Sequence, residues 1–157
     1  HFDGVGTVLN LFFRIVKPNK AYLGEKDFQQ LQIVKKLVEI ENLPVKIIGC
    51  PIIRESSGLA MSSRNKRLNT DQLNEAILIY KTLLKVKENF KLLSILKLNQ
   101  LAEKEFKNHP CLTLEYFEIA DTETLKTAIY KSKKKKYRAF IASFIDDVRL
   151  IDNIALN

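Results

Sequence analysis

The chain has 157 residues, of which 46% are hydrophobic and 28% charged. That is enough apolar material for one ordinary core or two small ones, and it excludes a disordered polar chain. The formal charge of +8 at pH 7 favours anionic partners such as nucleotides, phosphates or nucleic acid, without choosing among them.

Residues 4–16, GVGTVLNLFFRIV, place Val5, Val8, Leu9, Phe12, Ile15 and Val16 at helical spacing. Asn10 and Arg14 interrupt this run, so it is no membrane span, and no signal-peptide pattern is read at the start. Pro18 and Asn19 stop the helix. KAYLG, residues 20–24, reads as a short buried strand. DFQQLQIVKKLVEI, residues 27–40, is a second helix with Leu31, Val34, Leu37 and Val38 as its stripe. PVKIIGCP, residues 44–51, is a second buried strand. Helices alternating with short apolar strands predict a parallel sheet with helical crossovers.

The texture changes after residue 53. Residues 54–69 are polar and loop-like, and the stretch 70–90 is a long amphipathic helix capped at Asn69 or Thr70. NQLAEKEFKNH, residues 99–109, predicts another helix. CLTLEYFEIAD, residues 111–121, alternates like a half-exposed strand. YRAFIASFI and VRLIDNIAL predict a closing antiparallel pair joined at Asp146 and Asp147. Two units result, residues 1–53 as α/β and residues 54–157 as α+β with its own small sheet. Cys50 and Cys111 are far apart without metal-ligand spacing, and are expected to be buried free thiols in a reducing compartment. His1 and His109 are too isolated to suggest a metal site.

Two loops carry chemistry. Gly24, Glu25, Lys26 and Asp27 lie between a strand and the following helix, where parallel α/β sheets bind ligands and a helix N-terminus suits a phosphate. The dipole alone contributes roughly 0.3–1 kcal/mol, whereas a preorganised donor in a dry site contributes about 2.7–4 kcal/mol, so Lys26 is the residue to watch. The same spacing also fits a capping box of Asp27 with Gln30, with Lys26 a solvated charge. The second loop is GLAMSSRN, residues 58–65. Gly58 permits close backbone approach, Ser62 and Ser63 offer hydroxyls and N–H groups, and Arg64 offers a fork for phosphate oxygens. A basic interdomain linker is the alternative. Both loops follow strands of one presumed sheet and would open at one edge. KSKKKKYR, residues 131–138, fits either a nucleic-acid contact or a solvated turn.

GEKDFQQL and GLAMSSRN in this order, with GCPIIRESS before the second and RLIDN near the end, closely resemble the pantothenate synthetase (pantoate–beta-alanine ligase) family. The resemblance implies the last α-β-α-β part of a Rossmann-like nucleotide-binding domain, similar to class I aminoacyl-tRNA synthetases, followed by an α+β lid domain. It implies ATP-dependent joining of pantoate and beta-alanine through a pantoyl adenylate, releasing AMP and pyrophosphate with Mg2+. It also implies a cytoplasmic homodimer that binds neither nucleic acid nor membrane. By position, Gly24, Glu25, Lys26, Asp27, Ile53, Met61, Ser62, Ser63 and Arg64 would form the ATP site. Lys26, Ser62, Ser63 and Arg64 would be catalytic, and Gln30 would bind pantoate. The loop AMSSR corresponds to the KMSKS pattern, with Ala60 and Ser63 in its lysine positions. Another adenylate-forming enzyme, or a basic nucleic-acid-binding domain, is the alternative. The family's HxGH histidine motif does not occur, so the chain is expected to be a carboxyl-terminal portion that binds ATP weakly, does not turn over alone, and self-associates through bare apolar surface.

Overall fold

The computed structural model describes all of residues 1–157. The chain packs as two compact units, His1–Ile52 and Ile53–Asn157. No helix is long and apolar enough to cross a membrane.

In the first unit, α1 (Phe2–Val16) ends where Lys17 turns left-handed at φ 49°. Strand β1 (Lys20–Gly24) follows, then a 3-10 turn (Glu25–Asp27), α2 (Phe28–Ile40) and β2 (Lys46–Cys50). The strands pair in parallel with Gly24 opposite Cys50, so their carboxyl ends are level. Phe13, Val34 and Val45 form the core, with Val5, Leu9, Ala21 and Leu23 packed against it. The buried stripe of α1 is therefore Val5, Leu9 and Phe13, spaced by four. The expected stripe through Val8, Phe12, Ile15 and Val16 is corrected, because all four are exposed, Ile15 at 80%. Local spacing fits both faces of this helix, and packing against α2 and the sheet selects one.

The second unit opens with a hairpin. The Met61 N–H donates to the Ile53 carbonyl at 2.9 Å and the Glu55 N–H to the Leu59 carbonyl at 2.8 Å, with Arg54 opposite Ala60. Gly58 turns the chain at φ +93°, and a Cβ there would lie 2.4 Å from Tyr80 Cδ1. Only glycine meets both conditions. A 3-10 helix (Ser63–Arg67) leads to α3 (Thr70–Asn89), which is capped by a reciprocal Asn69–Gln72 box. Helix α4 (Ile95–Lys107) starts four residues before the expected position, because the Ser94 side chain accepts from the Lys97 N–H. Strands β3 (Thr113–Asp121), β4 (Tyr137–Ile145) and β5 (Val148–Ala155) form an antiparallel sheet in that order. The central strand β4 is buried along nearly its whole length. Leu83, Val86 and Leu98 from the helices pack with Ile119, Ile141 and Ile145 from the sheet.

Neither cysteine is buried: Cys50 is half-buried and Cys111 exposed, both free thiols. The short strand β2 leaves Cys50 at its open end, and Cys111 precedes β3 in a turn.

At the end of β3, Asp121 Oδ1 accepts from the Thr124 N–H at 2.8 Å, the Glu123 N–H at 3.0 Å and the Thr124 hydroxyl at 3.0 Å. The Thr124 backbone N–H, then the Thr124 hydroxyl, Lys135 and the Glu123 N–H, outweigh burial and lower the Asp121 carboxyl from 3.8 to about 2. A depressed folded-state value contributes stability that is present above pH 3.8 and lost as pH falls towards about 2. Asp121→Asn is expected to remove that part of the acid-induced loss, so wild-type and variant urea midpoints converge on acidification; parallel curves would contradict it. Gly58→Ala is expected to destabilise by about 1–3 kcal/mol through backbone strain, before the clash with Tyr80 is added. Thermal unfolding checks this, and an unchanged Tm would show that residues 55–58 do not make this turn.

Candidate functional site

Two loops carry the candidate residues, one on each unit. In the first unit the parallel register brings Gly24 and Cys50 out level, so the GEKD turn leaves the carboxyl edge of the small sheet beside Pro51. This is the edge where a helix N-terminus and a strand end meet, and α2 begins there at Phe28. Glu25 and Lys26 are half-buried, while Gly24 and Asp27 are exposed. Gly49 lets this turn lie close to β2: a Cβ at Gly49 would meet Leu31 Cδ2 at 3.0 Å and Glu25 Oε1 at 3.5 Å.

Asp27 occupies the N-cap position of α2, but its side chain makes no capping hydrogen bond. The reciprocal box with Gln30 that the spacing allowed is therefore not formed, which leaves the Asp27 carboxylate at the exposed end of the helix. Gln30, one turn into α2, is half-buried.

On the second unit, the hairpin delivers residues 61–64. Leu59 and Ala60 are buried at its returning arm, and Ile53 and Met61 are exposed at its mouth, at 69% and 46%. Ser62 is extended at φ −153°, and its Oγ accepts from the Arg64 N–H at 3.2 Å. Ser63 and Arg64 are exposed. The Arg64 guanidinium donates to the Arg149 carbonyl at 3.2 Å, a neutral acceptor that a phosphate oxygen would outcompete. Asn65 is buried, and its Nδ2 donates to the Ala60 carbonyl at 3.1 Å. Its buried Oδ1 meets no donor in the protein. The stretch is thus a built loop with a fixed base and an exposed basic tip, not a structureless linker.

Sequence reasoning passed over the groups that hold this base. Arg54 forms a bidentate pair with Asp152, at 2.6 and 3.0 Å, and stacks 3.8 Å from the Tyr80 ring centroid. One signal was available: Asp152 sits at an inward position of a strand, which calls for a cationic partner. Nothing local names that partner among 26 Lys and Arg residues.

The lysine run is a turn with specific structural contacts. Lys131 donates to the Phe90 and Leu93 carbonyls, both at 2.6 Å, beyond the end of α3. Lys135 pairs with Asp121 at 3.3 Å, and the buried Arg138 pairs with Asn153. No three His, Cys, Asp or Glu side chains gather as a metal set.

The model of the pantoate-beta-alanine ligase family matches residues 1–155. The chain is 55% identical over 157 residues to the pantothenate synthetase of Christiangramia forsetii, covering 100% of this chain and 56% of the relative. It is 52% identical over 156 residues to that of Flavobacterium psychrophilum, covering 99% and 55%. The pantothenate synthetase structure from Thermus thermophilus superposes with a TM-score of 0.91 at 34% identity, covering 99% of this chain and 56% of that one. The pantoate-beta-alanine ligase of Francisella tularensis, solved with beta-gamma ATP and beta-alanine, gives 0.71 at 35% identity, covering 99% and 51%. The chain spans about half the length of the curated relatives it matches. With the GEKD turn at a sheet edge, the AMSSR loop on its hairpin and a family match across residues 1–155, this chain belongs to the pantoate–beta-alanine ligase family.

Proposed function

We propose that this chain carries part of the machinery for ATP-dependent condensation of pantoate with beta-alanine. The observation that carries the reading is the exposed basic tip at residues 61–64, held on a rigid hairpin in a chain that also places Lys26 at the carboxyl edge of a parallel sheet. Its relative from Francisella tularensis was solved with an ATP compound and beta-alanine, which supports both as substrates here.

In the first step a pantoate carboxylate oxygen attacks the α-phosphorus of ATP. The bond from that phosphorus to the bridging oxygen breaks, and pyrophosphate leaves with the electron pair. Two anions must approach, so charge neutralisation and positioning dominate the barrier. Lys26 and Arg64 meet the triphosphate, with Ser62 and Ser63 donating to its oxygens. Gly24, Glu25 and Asp27 shape the ATP side, Ile53 and Met61 supply apolar contact, and Gln30 hydrogen-bonds pantoate. In the second step the beta-alanine amine attacks the acyl carbon, AMP leaves, and the nitrogen loses a proton. The chain's own carboxylates do not form a three-ligand set, so Mg2+ would enter on the nucleotide phosphates and supply charge neutralisation there.

The test is pantoate-dependent exchange of labelled pyrophosphate into ATP. It is run on this chain and on a hybrid that adds the part of the Christiangramia forsetii relative that this chain does not span. Exchange that requires pantoate is expected from the hybrid. Lys26→Ala and Arg64→Ala should each lower it about 100- to 1,000-fold. Exchange indifferent to pantoate, or undiminished in both variants, would sink the assignment.

A further inference from the structure

We propose that Arg54 and Asp152 are positioning residues for the phosphate-facing loop at residues 61–64, with Tyr80 as the floor on which the guanidinium rests. The inference rests on the ATP reading above for what the loop binds, but not for how the loop is held.

The Arg54 fork is nearly saturated. Nη1 donates to Asp152 Oδ2 at 2.6 Å and to the Gly58 carbonyl at 3.0 Å. Nη2 donates to Asp152 Oδ1 at 3.0 Å and to the Asn153 carbonyl at 3.4 Å. The side chains are 18% and 1% exposed, so the pair is largely out of water. Asp152 Oδ1 also accepts from the Asn153 N–H at 2.7 Å, which fixes the carboxylate on its strand. One guanidinium therefore binds the turn of the hairpin to β5, across 98 residues.

What the hairpin then holds is the loop. Arg54 sits opposite Ala60, and Met61 is the last residue in the ladder. The Asn65 side chain returns from the 3-10 helix to the Ala60 carbonyl on the hairpin, closing residues 61–64 into a short arc. Arg64 reaches β5 again through the Arg149 carbonyl. Loop and latch thus share β5 as their frame. A desolvated ion pair is a poor source of net stability, since its dehydration offsets its attraction. What it supplies is a single geometry. A planar fork with five donors sets distance and direction at four acceptors, which a lysine cannot reproduce. An arginine that must reach a phosphate gains from a base already in place.

The experiment is amide hydrogen exchange by mass spectrometry on the 157-residue chain, comparing wild type with Arg54→Lys, Asp152→Asn and the milder Tyr80→Leu. Exchange of the Met61, Arg64 and Asn65 amides is expected to rise about tenfold in the first two variants, while peptides in α3 and β4 keep wild-type protection. Tyr80→Leu, which leaves the ion pair intact, gives a smaller rise and serves if the charged variants fail to fold. Unchanged exchange at residues 61–65 overturns the proposal. A uniform rise across the whole second unit also overturns it, since that is global destabilisation. In the hybrid enzyme, Arg54→Lys should lower the maximal exchange rate with the pantoate KM unchanged; a raised KM alone would count against positioning of the phosphate loop. A loosened loop in the charged variants, together with a hybrid that shows no pantoate-dependent exchange and whose wild-type loop gains no protection from Mg–ATP, upholds the latch and overturns the ATP reading, so the two fail separately.

Discussion

The hairpin that carries residues 61–64 depends on a charged pair that is almost out of water. Arg54 and Asp152 are held at 2.6 and 3.0 Å, with Asp152 1% exposed. Removing either partner alone would leave a buried charge unmatched, which costs far more than the intact pair contributes. That asymmetry makes the register of the hairpin against β5 all-or-none. The glycine at position 58 follows from it: the turn must pass over Tyr80 so that its carbonyl can meet the same guanidinium, and a side chain there has no room. The capping box at Asn69 and Gln72 then starts α3 directly after the loop, so the arc at residues 61–64 lies between two firmly held ends.

The smaller unit is arranged by a different constraint. Its two strands are five residues each and pair in parallel without offset, which brings the GEKD turn and the exit from β2 to one edge. Its core is small: Phe13, Phe28, Leu31, Val34 and Val45 are its buried apolar side chains. On α1, Val8, Leu11, Phe12, Ile15 and Val16 remain 51–80% exposed. A unit of this size buries a modest share of its apolar surface, and a two-stranded sheet leaves hydrogen-bonding edges on both sides. The candidate residues of the GEKD turn sit at the level strand ends.

The order of elements was legible in the sequence. KAYLG and KIIGC are strands at the expected positions because an apolar run bounded by Gly or Pro is a local signal, but neither is buried as expected: in a two-stranded sheet their residues are exposed or half-buried. The turn at Asp146 and Asp147 was legible because two aspartates, common turn residues, separate two apolar runs, and Asp146 adopts φ 49° there. The buried face of α1 was not legible, since two apolar stripes are present and only contact with α2 and the sheet chooses between them. The start of α4 was passed over although it was legible, since the Ser94 cap and the helical spacing of Ile95, Leu98, Ala102 and Phe106 agree. At the candidate site, the chemistry of Lys26, Ser62, Ser63 and Arg64 was visible as residue types, and the absence of a cap at Asp27 was not.

The sequence by itself determined which short segments could carry charge to a phosphate, and in what order along the chain, because turn chemistry and hydrophobic period act within a few residues. Only the tertiary structure decided that Arg54 answers Asp152 across 98 positions, that Lys131 closes carbonyls beyond the end of α3, and that Lys135 serves Asp121. A buried charge must find its counter-charge wherever the fold brings one within hydrogen-bonding distance, and no local pattern encodes that meeting.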